Sequence, residues 1–301
     1  MAVACEFPVH PKDSLKTAEM SCGTMRRGMT ISRNPFDTAA RLAFPLAALF
    51  AAASLGNIVL PAAYARETAS WAAQGLGQDW VDLFLVAPVL VIAAALARRG
   101  SRRAGLVLGG AVSYTLYSLV LYSFAMHFNP LFLVYSVGLG VSFYALASVI
   151  VACSREDPRS WLSPGAAARP AGVFCVALGL VFYALWLSEV VPALASGTPP
   201  ASLAEVGLIT NPVQVLDIGI VLPAFIVGGV ALLRGRRLGY WLVPVMLSFG
   251  VLMDTALIAM DVSMAARGVV GGGQRIPIFA VMGALSLAAL WGMLRQRRRV
   301  A

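Results

Sequence analysis

The chain has 301 residues, 59% hydrophobic and only 12% charged, with a mean hydropathy of +0.80. Soluble domains carry about a quarter charged residues, so this composition excludes an ordinary water-soluble fold. The net charge of +9 sits in short arginine clusters between apolar runs and not in a basic soluble domain, which leaves no surface for nucleic acid as a partner.

The apolar runs are about 20 residues long, the length that crosses a bilayer as a helix. Inside lipid each backbone polar group must be satisfied within its own segment, so these runs must be helices. A β-barrel would need strands alternating polar and apolar residues, and none occur. The expected fold is an all-α integral membrane protein with eight spans, whose first partner is the lipid bilayer.

Residues 1–41 read as a polar cytoplasmic tail with no apolar period. They hold Lys12 and Lys16, the only lysines, and Met25-Arg26-Arg27 and Met29 offer alternative starts ahead of the first span. The apolar segments then run from Phe44 to Tyr64, Asp79 to Ala97, Ala104 to Met126, Pro130 to Ala152, Ala171 to Leu194, Pro212 to Leu233, Gly239 to Met264 and Pro277 to Leu294. A basic tail, 296–301, closes the chain. Ala63-Tyr64-Ala65 has the small-residue pattern of a signal-peptidase site. The length of segment 1, and its partner in the repeat described next, favour a retained span.

Segments 2–3 resemble segments 6–7. Asp82-Leu-Phe-Leu-Val-Ala-Pro88 leads to Arg98-Arg99 and Arg103-Ala-Gly105, while Asp217-Ile-Gly-Ile-Val-Leu-Pro223 leads to Arg234 and Arg237-Leu-Gly239. Weaker echoes flank them: Asn57-Ile-Val-Leu-Pro61 against Glu189-Val-Val-Pro192, and Pro130-Leu-Phe132 against Pro277-Ile-Phe279. The order suggests a tandem repeat of four helices, 42–153 and 171–295. An even number of helices makes the halves parallel, about an axis along the membrane normal. Pro88 and Pro223 each remove a backbone donor close to an aspartate, which should loosen the helix there.

Orientation follows from arginine placement. Eighteen arginines lie in the two tails and in the loops after segments 2, 4 and 6, whereas Arg66, Arg267 and Arg275 stand on the other side. The positive-inside rule then puts both termini in the cytoplasm of a cell (inner) membrane protein.

A charge at the centre of a membrane helix costs about 2.5–3.5 kcal/mol on insertion scales. Asp79, Asp82, Glu189, Asp217, Asp254 and Asp261 all fall in the outward halves of their segments. Gln78, His127, Asn129, Asn211 and Gln214 lie at the same level, with Tyr114 and Tyr117 one turn apart on segment 3, and Tyr183, Trp186 and Glu189 along one face of segment 5. Together they suggest an outward-facing acidic cavity lined by segments 2, 3, 5, 6 and 7. The candidate substrate- or ion-binding residues are Asp82, Asp217, Asp254, Glu189, Asp79, Gln214, His127 and Tyr117.

Plainer roles exist for some of them. Asp79 and Asp82 could cap a helix start, Asp261 reads as solvated at the interface, Glu189 could pair with Arg66 or Arg275, and His127 reads as an interfacial residue. Cys153 and Cys175, like Cys5 and Cys22, form no C-x-x-C pair and read as packing residues. Gly105 and Gly109 have small-residue packing spacing. Gly271-Gly272-Gly273 lacks a following Lys-Ser or Lys-Thr, so it reads as an external turn, and no cofactor is expected.

The function that fits first is a proton- or cation-coupled transporter of a small solute or cation. A membrane enzyme using acids with His127, through a metal or as general acid and base, is the second reading. It lacks an H-E-x-x-H or G-x-S-x-G motif. A receptor or complex subunit with an unidentified protein partner is the third.

Overall fold

The computed structural model describes residues 34–295, and the residues from Pro35 onward form one compact unit. Residues 1–33, with Cys5, Cys22, both lysines and the alternative starts, lie outside the described residues, as does the basic end 296–301.

Every regular element among the described residues is helical. Eight helices are long and apolar enough to cross a bilayer: α1 (Asp37–Val59), α2 (Ala69–Arg98), α3 (Arg102–Phe124), α4 (Phe132–Arg155), α5 (Gly165–Ser196), α6 (Pro212–Leu233), α7 (Arg237–Ala266) and α8 (Ile276–Arg295). The chain is a multi-pass helical membrane protein.

Two boundaries depart from the sequence reading. α1 begins at Asp37, inside the expected tail, and ends before Pro61. Asp37 adds negative charge at the positive end of the helix dipole. α2 begins at Ala69, ten residues earlier than expected, because the Thr68 side chain caps it by accepting from the Trp71 N–H at 3.2 Å. The Gln- and Gly-containing stretch Gln74–Gln78, which lies before the expected segment, is its second and third turns. Asp79 and Asp82 therefore lie well inside a helix, and neither caps one.

In the first half, α1 packs on α2 and α4, and α3 closes a ring by packing on the same two helices. In the second half, α6 packs between α5 and α7, α7 packs on α8, and α8 touches α5 lightly. α7 is the shared wall, packing on the Ala69–Val81 stretch of α2 and along α3. Glycine permits both approaches. A Cβ on Gly77 would lie 2.6 Å from the Met260 Cα, and one on Gly110 would lie 2.6 Å from the Val245 carbonyl oxygen. Small residues are the usual means of close helix approach in lipid, where no hydrophobic force pushes helices together. Gly105 and Gly109 work similarly, against the Phe36 ring and against Val149 and Val245.

α3 meets α6 chiefly at Pro212–Leu216 and diverges from it beyond that point. The divergence leaves a space between the halves.

Both α2 and α6 contain one π-helical turn, at Asp82–Val86 and Asp217–Val221. In each, the residue before the proline donates its N–H to the aspartate carbonyl five residues back: Ala87 to Asp82 and Leu222 to Asp217. A proline ring collides with the carbonyl four residues earlier and offers it no donor. A wider turn relieves the collision without breaking the helix, and π turns of this kind gather at functional sites.

At the arginine-rich end, contacts join both halves. Arg102 pairs with Glu156 at 2.8 Å, Arg98 with Asp37 at 3.6 Å, and Arg237 donates to the Ser154 carbonyl at 2.7 Å. Arg159 donates to Asp157, holding that carboxyl below its ordinary range, and reaches the Gly235 carbonyl at 3.4 Å. Cys153 and Cys175 are buried free thiols.

Candidate functional site

The acids fall into two groups, and neighbouring side chains separate them. The first group is sealed. Asp79 and Asp82 on α2 are both fully buried. Asp79 accepts from the Asn57 amide on α1 at 3.0 Å, from the Tyr64 hydroxyl at 2.6 Å and from the Tyr122 hydroxyl at 2.8 Å. Asp82 accepts from Tyr114 at 2.7 Å, from the same Tyr122 hydroxyl at 3.1 Å and from Gln78 at 3.4 Å. Behind them Tyr135 donates to the side-chain amide oxygen of Asn57 at 2.5 Å, and Asn129 lies 3.5 Å from the Tyr135 hydroxyl. No Arg, Lys or His joins this cluster among the described residues. Two carboxylates bridged by one hydroxyl, without a cation, are an expensive arrangement in a low dielectric unless protons are shared.

The second group is open. A cavity of about 560 Å³ lies in the space between the halves, lined by α2, α3, α5, α6, α7 and α8 and by the short helix Ala201–Val206 that follows α5. Asp217 lines it, accepting from the Trp186 indole N–H at 2.9 Å and the Tyr117 hydroxyl at 3.2 Å. Tyr183 donates to the Ile218 carbonyl at 2.6 Å, inside the π turn. Glu189 accepts from Gln214 at 2.7 Å and from the Ser202 hydroxyl. Asp254 is buried and lines the cavity beside Ser286 of α8. Glu205 accepts from Ser70 at 2.9 Å, also on the wall.

Of the candidates named from sequence, Asp217, Asp254, Glu189 and Tyr117 therefore share this cavity, with Gln214 bonded to Glu189 from behind. Asp79 and Asp82 do not line it. They stand behind Gln78, Tyr64 and Tyr122, which belong to both the cavity wall and the sealed cluster.

His127 lies apart, its Nδ1 3.2 Å from Glu67 and its backbone N–H 2.8 Å from the same carboxylate. Asp261 is buried and not solvated. It accepts from the Arg275 backbone N–H at 2.9 Å and from the guanidinium at 3.0 Å and 3.1 Å. Arg275 thus serves Asp261, and Glu189 has polar uncharged partners in its place.

Sequence reasoning missed Tyr122, although it lies two turns from Tyr114 on one face of α3. It also missed Asn57, Tyr64 and Tyr135, which reach Asp79 or its partners from outside α2. Ser202 and Glu205 lie on a six-residue helix whose sequence signal was only the preceding Pro199-Pro200. No group of three or more His, Cys, Asp or Glu residues is gathered for a metal ion among the described residues. No family model, no curated protein and no solved structure matches this chain.

Proposed function

We propose that this chain is a proton-coupled small-solute transporter of the cell membrane, with both termini cytoplasmic. The observation that carries the reading is the convergence of Asp217, Glu189 and Asp254 on one cavity of ligand size. Intramembrane acids of this kind mark solute and proton pathways. The arginine-rich end, where Arg102, Arg159 and Arg237 make their contacts, is the cytoplasmic end by the positive-inside rule. The acids lie toward the opposite end, so the cavity faces outward.

A tandem repeat, halves 42–153 and 171–295, accounts for the architecture. Two features support it beyond sequence echo. The π turns begin at corresponding aspartates, Asp82 and Asp217. Three residues before each, Asp79 and Gln214 make the same kind of bond to the first helix of their half, with acid and amide exchanged: Asn57 donates to Asp79, and Gln214 donates to Glu189. On this reading the halves have diverged into different tasks. The second half contributes most of the solute cavity, and the first holds a sealed carboxylate pair.

A proton suits that pair better than a metal ion. Each of the four carboxylate oxygens already accepts an O–H or N–H donor, leaving none aimed at a common centre. The groups facing it are Ser54 and Asn57 from α1, Tyr64 from the loop after α1, Gln78 from α2, and Tyr114 and Tyr122 from α3, with Tyr135 of α4 behind Asn57; α7 presents backbone at Gly77. Tyr64, Gln78 and Tyr122 are the residues that touch both the pair and the cavity. The enzyme reading needs His127 beside the acids, and His127 faces Glu67.

The test is reconstitution of the full chain into vesicles holding a pH-sensitive dye. Candidate solutes are added outside and proton entry is followed. Solute-driven proton flux is expected, and the Asp217→Asn, Asp254→Asn double variant should abolish it while eluting normally on size exclusion. Full transport by that double variant would refute the proposal.

A further inference from the structure

The cavity also limits what its occupant can be. Its carboxylates are Asp217, Glu189, Asp254 and Glu205, and none of them has an Arg, Lys or His partner among the described residues. One cation reaches the wall, Arg275, and its guanidinium is occupied by Asp261 at 3.0 Å. The space is therefore anionic in sign. A carboxylate can accept about four hydrogen bonds, and Asp217 uses two, from Trp186 and Tyr117. Acceptor capacity remains on the side open to the cavity.

Between the acids much of the wall is apolar, with Gln74, Gln78, Ser188 and Asn211 among its polar residues. Phe182, Phe225, Phe249 and Phe279 supply rings, and Met253 and Met282 supply flexible thioethers. A small inorganic cation would need six or more oxygens closing around it within about 2–2.6 Å, whereas these acids stand on three different helices and a short helix around a space of about 560 Å³. Aromatic faces beside a carboxylate are instead what a bulky organic cation requires. The charge meets Asp217, ring quadrupoles add attraction, and apolar substituents fill the remainder. Methionine lets such a wall adapt to different shapes.

We infer that the cavity binds bulky, apolar organic monocations, with the positive centre at Asp217 beside Trp186 and the hydrophobic substituents between α6, α7 and α8. This names the solute class for the transporter proposed above and rests on that reading for its physiological meaning, though not for the binding itself.

The experiment uses the purified full-length chain in detergent and three probes of nearly equal shape: the tetraphenylphosphonium cation, the tetraphenylborate anion and neutral tetraphenylmethane. Binding is read by equilibrium dialysis and by quenching of tryptophan fluorescence. Saturable binding of one tetraphenylphosphonium per chain is expected, at least tenfold tighter than the anion. Asp217→Asn should weaken it about tenfold or more, and Asp37→Asn, at the arginine-rich end, should leave it unchanged.

The cation-over-anion preference needs no variant, so it decides the matter even if Asp217→Asn fails to fold. Equal binding of the two ions, non-saturable uptake of tetraphenylphosphonium, or an Asp217→Asn protein that folds and binds as tightly as the parent would overturn the inference. Saturable cation binding without any solute-driven proton flux supports the inference and removes the transporter reading. Proton-coupled flux of a neutral solute, with no tetraphenylphosphonium binding, keeps the transporter reading and overturns the inference.

Discussion

Tyr122 is the side chain on which the sealed acid pair most depends. Its hydroxyl lies 2.8 Å from Asp79 and 3.1 Å from Asp82, both fully buried. Tyr122→Phe removes that hydroxyl and almost no volume, so no cavity penalty enters. Each lost bond is worth about 1 kcal/mol net, and a stranded buried acceptor costs about 1–3 kcal/mol. Asp79 keeps Asn57 and Tyr64, and Asp82 keeps Tyr114 and a long contact to Gln78. The losses are therefore partial, and the sum is about 2–3 kcal/mol, raising the unfolded fraction roughly 30- to 150-fold.

The assay is unfolding by SDS titration in mixed micelles, with Tyr144→Phe as control, since Tyr144 lies on the exposed face of α4. Combining Tyr122→Phe with Asp79→Asn should show a coupling of about 0.5–3 kcal/mol, the range for residues in direct contact. If Tyr122→Phe costs no more than Tyr144→Phe, or the two changes simply add, the bridging role of Tyr122 is wrong.

Other outcomes follow from the same geometry. Gly77→Ala should destabilise the protein by about 1–3 kcal/mol, the usual cost of overpacking, because its Cβ would press on the backbone of α7; Gly140→Ala, which points into open space, should be neutral in the same titration. Arg275→Gln should cost about 1–2 kcal/mol, less than a fully buried pair because the guanidinium is half exposed while Asp261 is buried; the retained bond from the 275 backbone N–H limits the loss, and SDS titration again measures it. A reporter enzyme active only in the cytoplasm, fused after Ala301, should be active, and activity of an externally required reporter there would reverse the proposed orientation.

The eight spans were legible because bilayer thickness imposes a length and a composition that no other fold shares. The start of α2 was not. Trp71 to Gln78 is polar enough to read as loop, and it is helical because Gly77 lets it lie against α7 and because the Trp71 indole donates to the Ala125 carbonyl at 3.0 Å. Among the acids, sequence depth alone named Asp217 and Asp254, which line the cavity. It also grouped Asp79 and Asp82 with them, because depth carries no information on which way a side chain faces. The wall of Tyr64, Gln78 and Tyr122 that divides the two groups comes from three separate parts of the chain, a tertiary fact that no local pattern encodes. Asp261 was misread for a related reason: its partner Arg275 lies beyond a turn whose shape is set by Gly271 and Gly273 at positive φ.

The paired π turns imply a kind of mutational modularity. A π turn holds one residue more than the α-helical path it replaces, and each residue turns an α-helix by about 100°. Deleting Leu83 would force the turn toward α geometry, against the ring of Pro88. It would swing the Tyr114-bound carboxylate about a quarter-turn away, while Leu90, Ala94 and Ala97 kept their seats toward the arginine end. A single codon lost or gained can thus re-aim the chemical end of α2 or α6 without unseating its anchored end.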